Sequence, residues 1–221
     1  MAFVALSQQN NQQILSQLIS ESVIVDPQSP KGRLLNAAAT LFRDRGFDKT
    51  TVRDLAKAIG IQSGSLFHHY PNKQEILKQV MQQAIMLNIR RVEMALSLNH
   101  TIKDKLLALI LCEFQALILD TSAHISVLVF EWRSLSEDNQ AIMLKLRDEY
   151  EQYWLDVLAQ AKQQGMINID HHILRRLLNG AINWSLNWYK ADGDLSLEQL
   201  ADMTLQMVLN TEATKQTTII N

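Results

Sequence analysis

Cysteine, proline and glycine are all scarce in this chain, which has one, three and seven of them in 221 residues. A single cysteine closes no disulfide within the chain. Cys112 lies in the apolar run from Leu106 to Leu119, where a buried small hydrophobe is expected ahead of a redox sensor. So few helix breakers leave room for long helices, and strand signals are missing. β-Branched residues rarely alternate with polar ones, and the one Asp-Gly pair, Asp192-Gly193, falls between helical patterns. No apolar stretch reaches the roughly 18 residues of a membrane span. The start Met-Ala-Phe-Val-Ala-Leu is too short for a secretion signal and has no basic residue before it, so an all-α, cytoplasmic protein is expected.

Catalytic and metal signatures are absent as well. There is no glycine-rich phosphate loop, no nucleophile elbow and no Cys-His setting for Cys112, and Glu131, Asp148 and Glu149 fall on solvent faces. Of six histidines, His68-His69 and His171-His172 are adjacent pairs, which diverge on a helix instead of converging on one ion. Neither an enzyme, a metal nor a cofactor is expected. A net charge of −2 argues against a nucleic-acid partner only if it is evenly spread. It is not: between Pro30 and Val80 nine Lys and Arg face four acids, a local +5 that leaves −7 for the rest. A basic module on an acidic body binds phosphates locally while the body stays off the duplex.

Within that basic stretch, residues 50–75 read as two short helices joined by a tight turn. Thr51 and Asp54 fit a capping box, Leu55, Ala56 and Ile59 form one apolar stripe, and Gly60 suits a left-handed helix end. Gln62 or Ser63 starts the second helix, with Leu66 and Phe67 facing inward and Gln62, Ser65, His68 and His69 outward. Pro71 stops it, and Asn72 with Glu75 caps the next helix. This is a helix-turn-helix whose second helix carries only small or hydrogen-bonding groups on its first turns, as entry into the roughly 12 Å wide major groove requires.

The remaining pattern divides the chain into a flexible or partly helical extension over 1–29, the DNA-binding module over 30–76, a helical body over 77–212 and a tail over 213–221. The extension has no Lys or Arg and reads as solvated. The body opens with a long helix from Lys73 toward Leu98. Thr101 and Asp104 cap a helix apolar all round, and shorter and longer helices follow over His124–Leu135 and Glu137–Gln164. Asp170–Lys190 and Ser196–Asn210 have broad apolar faces, with Gly180 permitting close approach. Such a pair can join a symmetry mate as a four-helix bundle.

From about Lys31 to Val80 the sequence resembles the tetracycline-repressor (TetR) family of bacterial transcription regulators. The resemblance is carried by Leu34 to Phe42, by Gly46-Phe47, by Thr50 to Ala56 and by Gly60 to Lys73, all in one register. The stretch Gly180 to Tyr189 with Asp192-Gly193 and Ser196 to Asp202 is similar to members that sense acyl-CoA thioesters. The resemblance implies an N-terminal three-helix DNA-binding module and a C-terminal helical bundle for ligand binding and dimerisation. By position in the family's motif, phosphate contacts fall to Thr51, to the Tyr70 hydroxyl and to Lys73, with Lys49 and Arg53 as further candidates. Base reading falls to Gln62, Ser63, Ser65 and His69, with His68 as an alternative, and Gly64 admits close backbone approach.

Four tryptophans and eight methionines are more adaptable apolar volume than a minimal bundle needs. The candidate effector contacts are Phe114, Leu117, Leu128, Trp132, Met143, Trp154, Trp184 and Trp188, with Arg133, Asn183 and Asn187 as polar groups. Arg175-Arg176 or Arg90-Arg91 are candidates for the phosphates of an acyl-CoA. The expected protein is a dimeric repressor that binds a pseudo-palindromic operator on double-stranded DNA and is released by an apolar or acyl-CoA-type effector. Its rival is a helical small-molecule-binding protein whose DNA-binding module is inactive.

Overall fold

The computed structural model describes residues 3–118 and 122–209, so the expected tail over 213–221 lies outside the described residues. Among the described residues there are ten α-helices, two 3-10 turns and no strand. The chain divides into two compact units, one of residues 8–90 and 119–149, the other of residues 1–7, 91–118 and 150–221.

The first unit begins with the helical part of the extension, which was expected to be flexible or partly helical and solvated: α1 spans Gln8–Ser20 and is packed on one side. Ile14 and Leu18, one turn apart, are only 2% and 1% exposed, and this burial supplies the packing without which a helix of 13 residues is marginal in water. The chain then runs beside the long helix α5 (Lys73–Leu98), where Arg90 pairs with Glu21 at 2.9 Å and the Val25 amide donates to Gln83 Oε1 at 2.9 Å. α2 (Pro30–Arg45) opens on Ser29, whose hydroxyl accepts from the Gly32 amide, with Pro30 at the first helical position. Only glycine fits at residue 32, because a Cβ there would lie 2.0 Å from the Asp26 carbonyl oxygen.

α3 (Val52–Ala58) and α4 (Ser63–Leu66) form the helix-turn-helix. Leu34, Leu35, Ala38, Phe42, Leu55, Leu66, Ile76, Leu77 and Val80 close one core beneath α2, α3 and α5. α7 (Ser122–Phe130) packs along α2. It stops at Phe130 and gives way to a 3-10 turn over Trp132–Ser134, so the helix expected to reach Leu135 ends earlier. α8 (Glu137–Gln163) begins in this unit and ends in the other.

In the second unit α6 (Ile102–Ile118) is buried on nearly every side, as its composition demands, and packs against α9 (His171–Trp184) and α10 (Leu197–Val208). Thr101, Asp170 and Ser196 cap these three helices as expected, with side-chain oxygens 3.0, 3.2 and 3.2 Å from the amides of Asp104, Ile173 and Gln199. α9 stops at Trp184 and passes into a 3-10 turn over Ser185–Asn187, short of the Lys190 limit read from its periodicity.

Candidate nucleic-acid interface

α3 starts on a capping box. The Asp54 amide donates to Thr51 Oγ1 at 3.2 Å and the Thr51 amide to Asp54 Oδ2 at 2.8 Å. The Thr51 hydroxyl also donates to Asp54 Oδ2 at 2.6 Å, and that bond holds the Asp54 carboxyl below the usual carboxylate range. Thr51 is therefore exposed, but its proton is already engaged. Gly60 takes the left-handed φ of +73° at the end of α3, and the Ile61 amide returns to the Ala56 carbonyl at 3.0 Å.

α4 is a single helical turn extended by tight turns, in which the Tyr70 amide still bonds the Leu66 carbonyl at 3.1 Å. Leu66 fills the inner position. Phe67 was expected inward beside it but is 52% exposed, because successive residues on a helix point about 100° apart and one turn has a single inner slot. Gln62, Gly64 and His68 are exposed with Phe67, and Ser63, Ser65 and His69 are half-buried beside them. A Cβ on Gly64 would meet nothing within 4 Å, so no neighbour in the chain requires glycine there. Lys49, Arg53 and Lys57 are exposed along the α3 side.

Two assigned phosphate contacts are placed differently from expectation. Tyr70 is 2% exposed, and its buried hydroxyl has no hydrogen-bond partner among the described residues. Burial raises its pKa, and the Lys31 ammonium sits 4.8 Å from its ring centroid. In this position the hydroxyl is not at the surface. Lys73 is half-buried, and its ammonium donates to the carbonyl oxygens of Phe47 at 2.7 Å and Thr50 at 2.9 Å while lying 4.0 Å over the Phe47 ring. Two of its three N–H directions are thus taken by the loop that leads into α3.

The candidate effector residues fall in both units. In the first, Met143 is buried, Leu128 and Trp132 are half-buried, and Arg133 is exposed. The Trp132 ring carries the Arg147 guanidinium at 4.8 Å. In the second, Phe114, Leu117 and Trp154 are buried and Asn183 is half-buried, donating to Asn179 Oδ1 at 2.9 Å. Asn187 is exposed and donates to the Trp184 carbonyl. Trp184 and Trp188 are 66% and 49% exposed and belong with Leu177, Met203 and Met207 to an outward apolar set on α9, α10 and the turn after α9.

Arg175 is no phosphate ligand as placed. It is buried, with Nη1 3.1 Å from Glu113 Oε2, Nε 2.9 Å from Glu151 Oε2 and its guanidinium 4.2 Å over the Trp154 ring. Burial pushes the Glu113 carboxyl up and Arg175 draws it back down. Nearby in sequence, burial pushes the Cys112 thiol up to about 12, which leaves it unreactive as a redox sensor at neutral pH. No group of three or more His, Cys, Asp and Glu among the described residues could hold a metal ion, and no single helix there is long and apolar enough to cross a membrane.

Known proteins share this arrangement. Residues 34–80 match the family model described as bacterial regulatory proteins, tetR family, and residues 99–211 match the tetracyclin repressor-like C-terminal domain. The HTH-type transcriptional repressor KstR2 of Mycolicibacterium smegmatis is 32% identical over 188 residues, covering 83% of this chain and 90% of that protein. A crystal structure described as the superantigen pfit is 45% identical with a TM-score of 0.79, covering 91% of this chain and all of that one. AibR, solved in complex with isovaleryl coenzyme A and operator DNA, is 25% identical with a TM-score of 0.75, covering 81% of this chain and 98% of that one. The helix-turn-helix over residues 51–70 and the similarity over both halves of the chain agree: the chain belongs to the TetR family and is a DNA-binding transcriptional regulator, not an enzyme.

Proposed function

We propose that this regulator is a cytoplasmic homodimeric repressor that leaves its operator when an acyl-CoA or another apolar effector binds its C-terminal half. The observation that carries the DNA-binding half is the outer side of α4, which presents hydrogen-bonding groups alongside the exposed Phe67. Gln62, Ser63, Ser65, His68 and His69 stand there as base-reading groups, and Gly64 leaves space for a duplex edge. Lys49, Thr51 and Arg53 are the phosphate candidates best placed at the surface. Tyr70 joins them only if its hydroxyl swings outward.

Dimerisation is supported by the outward apolar set on α9 and α10, a face that a monomer would leave in water. Trp184 and Trp188 are assigned to that face in preference to the effector site. Phe114, Leu117, Trp154 and Asn183 remain the effector candidates of the C-terminal unit. The hydroxyl of Ser185, fully buried and without a partner among the described residues, adds a hydrogen-bonding group for a guest molecule. Repression and acyl-CoA sensing are supported by the repressor KstR2 and by AibR, which was solved with isovaleryl coenzyme A.

Titrating the protein with medium- and long-chain acyl-CoAs tests the reading. Trp154 lies among the effector candidates, so binding should quench tryptophan fluorescence. Ligand and DNA should weaken each other's binding by the same factor. A full acyl-CoA panel that changes neither fluorescence nor DNA affinity would remove the effector class and leave the DNA-binding function standing.

A further inference from the structure

The first turn of α5 ties two different segments to the recognition module through consecutive residues. Lys73 grips the carbonyls of Phe47 and Thr50, as described above. The Gln74 amide makes two bonds to backbone elsewhere: Nε2 donates to the Ser134 carbonyl at 2.7 Å, and Oε1 accepts from the Ser136 amide at 3.1 Å. One partner is only an acceptor and the other only a donor, so the amide has one possible orientation. A flipped amide would set N–H against N–H and oxygen against oxygen.

The gripped segment is itself well anchored. The Ser134 hydroxyl donates to Glu131 Oε2 at 2.7 Å, Gln140 Nε2 donates to the Leu135 carbonyl at 3.0 Å, and Leu135 is buried. Upstream of it α7 lies along α2, and downstream Ser136 leads into α8. A displacement of this connector thus reaches the first turn of α5 through the Gln74 amide, and the adjacent residue holds the loop from which α3 departs.

We propose that Gln74 is a positioning residue for operator recognition. Its amide fixes the connector Glu131–Ser136 against the first turn of α5, and so fixes where that turn holds the Phe47–Thr50 loop and the helix-turn-helix behind it. Gln74 touches no DNA in this account, which rests on the DNA-binding function stated above. Both partners are main-chain atoms, so the requirement is for an amide of this length and not for a particular neighbouring side chain.

The test uses the full-length protein, a duplex that the wild type selects from its own genomic DNA, and a scrambled duplex of equal length. Gln74→Met keeps the length and volume of the side chain and removes both hydrogen bonds. Affinity for the selected duplex is expected to fall about tenfold, roughly 1.4 kcal/mol. Affinity for the scrambled duplex and the salt slope on either duplex should stay at wild-type values, because no phosphate contact is lost. A role confined to stability would lower the active fraction and shift both duplexes alike. Should Gln74→Met fail to fold, Gln74→Glu carries the same test. It keeps the acceptor for Ser136, loses the donor to Ser134, and its added charge weakens both duplexes equally. A folded variant with an unchanged ratio of the two affinities overturns the inference alone. A wild type with no preference for any selected duplex removes the DNA-binding reading, and the inference with it.

Discussion

The Lys73 ammonium lies 2.7 Å from the Phe47 carbonyl oxygen and 4.0 Å from the centroid of the same residue's ring, so one residue supplies both a hydrogen-bond acceptor and an aromatic face to one cation. Lys73→Ala removes that pair and the second bond to Thr50 together. Charge-assisted hydrogen bonds of this kind contribute about 2 kcal/mol, so the variant should lose stability of that order in urea unfolding. Its DNA salt slope should fall by less than the full unit that a direct phosphate contact would remove. A fall of a whole unit at unchanged stability would return Lys73 to the phosphate-binding set.

Base readers should behave differently from Lys73. Replacing Gln62 or His69 with Ala is expected to change preference at one base position by about 1–3 kcal/mol and leave affinity for unrelated duplexes intact. Binding assays on a duplex library mutated one position at a time report this directly. A uniform loss across all positions would place these side chains away from the bases.

The buried Arg175–Glu113 pair should be costly to break and cheap to replace whole. Glu113→Ala alone leaves Arg175 with the partly exposed Glu151 and is expected to destabilise by about 3–5 kcal/mol in urea unfolding. Joint replacement by apolar residues of similar volume, such as Glu113→Leu with Arg175→Met, should recover most of that. A single variant as stable as the wild type would show that the pair carries no strain when broken.

Gly180 gives a clean probe of the dimer. A Cβ there meets nothing within 4 Å in the chain, so Gly180→Leu should leave the protomer folded. If α9 and α10 pair with a second copy, the added side chain should yield monomer in sedimentation and abolish tight operator binding. Trp184→Glu should do the same. A fully active monomer would refute the assignment of this face.

Acid should weaken the fold through His124, whose burial holds its imidazole down to about 4. An unfolded histidine titrates near 6.5, so between those values the unfolded chain binds the extra proton. Stability from this group is therefore full above about pH 6.5, falls as pH drops toward 4 and changes no further below that. The loss is on the order of 2 kcal/mol, allowing for partial exposure. His124→Gln should flatten stability against pH over that window, and an unaltered profile would exclude His124 as the cause.

What was legible in the sequence was what is local. The Thr51–Asp54 capping box, the left-handed Gly60, the caps at Thr101, Asp170 and Ser196 and the buried α6 all follow from residues within a few positions of one another. What was missed depends on partners far along the chain. The extension is packed through Ile14 and Leu18 where it was read as solvated, the Tyr70 hydroxyl is withdrawn by packing, and Lys73 and Gln74 are committed to carbonyls 23 to 60 positions away. Arg175 was a phosphate candidate because it stands with Arg176 near a helix start, and nothing in the local pattern marks Glu113 as its partner. Phe67 was misplaced because α4 ends after one turn, too short for periodicity to separate its inner from its outer side.

Binding of the full-length protein to its selected genomic duplex across a series of salt concentrations decides whether this chain recognises an operator as a dimer. Two protomers per pseudo-palindromic duplex are expected, with a clear preference over a scrambled duplex and log affinity that falls linearly with log salt by about 0.9 for each phosphate contact. Equal affinity for selected and scrambled duplexes at every salt concentration, or no binding at low salt, would contradict it.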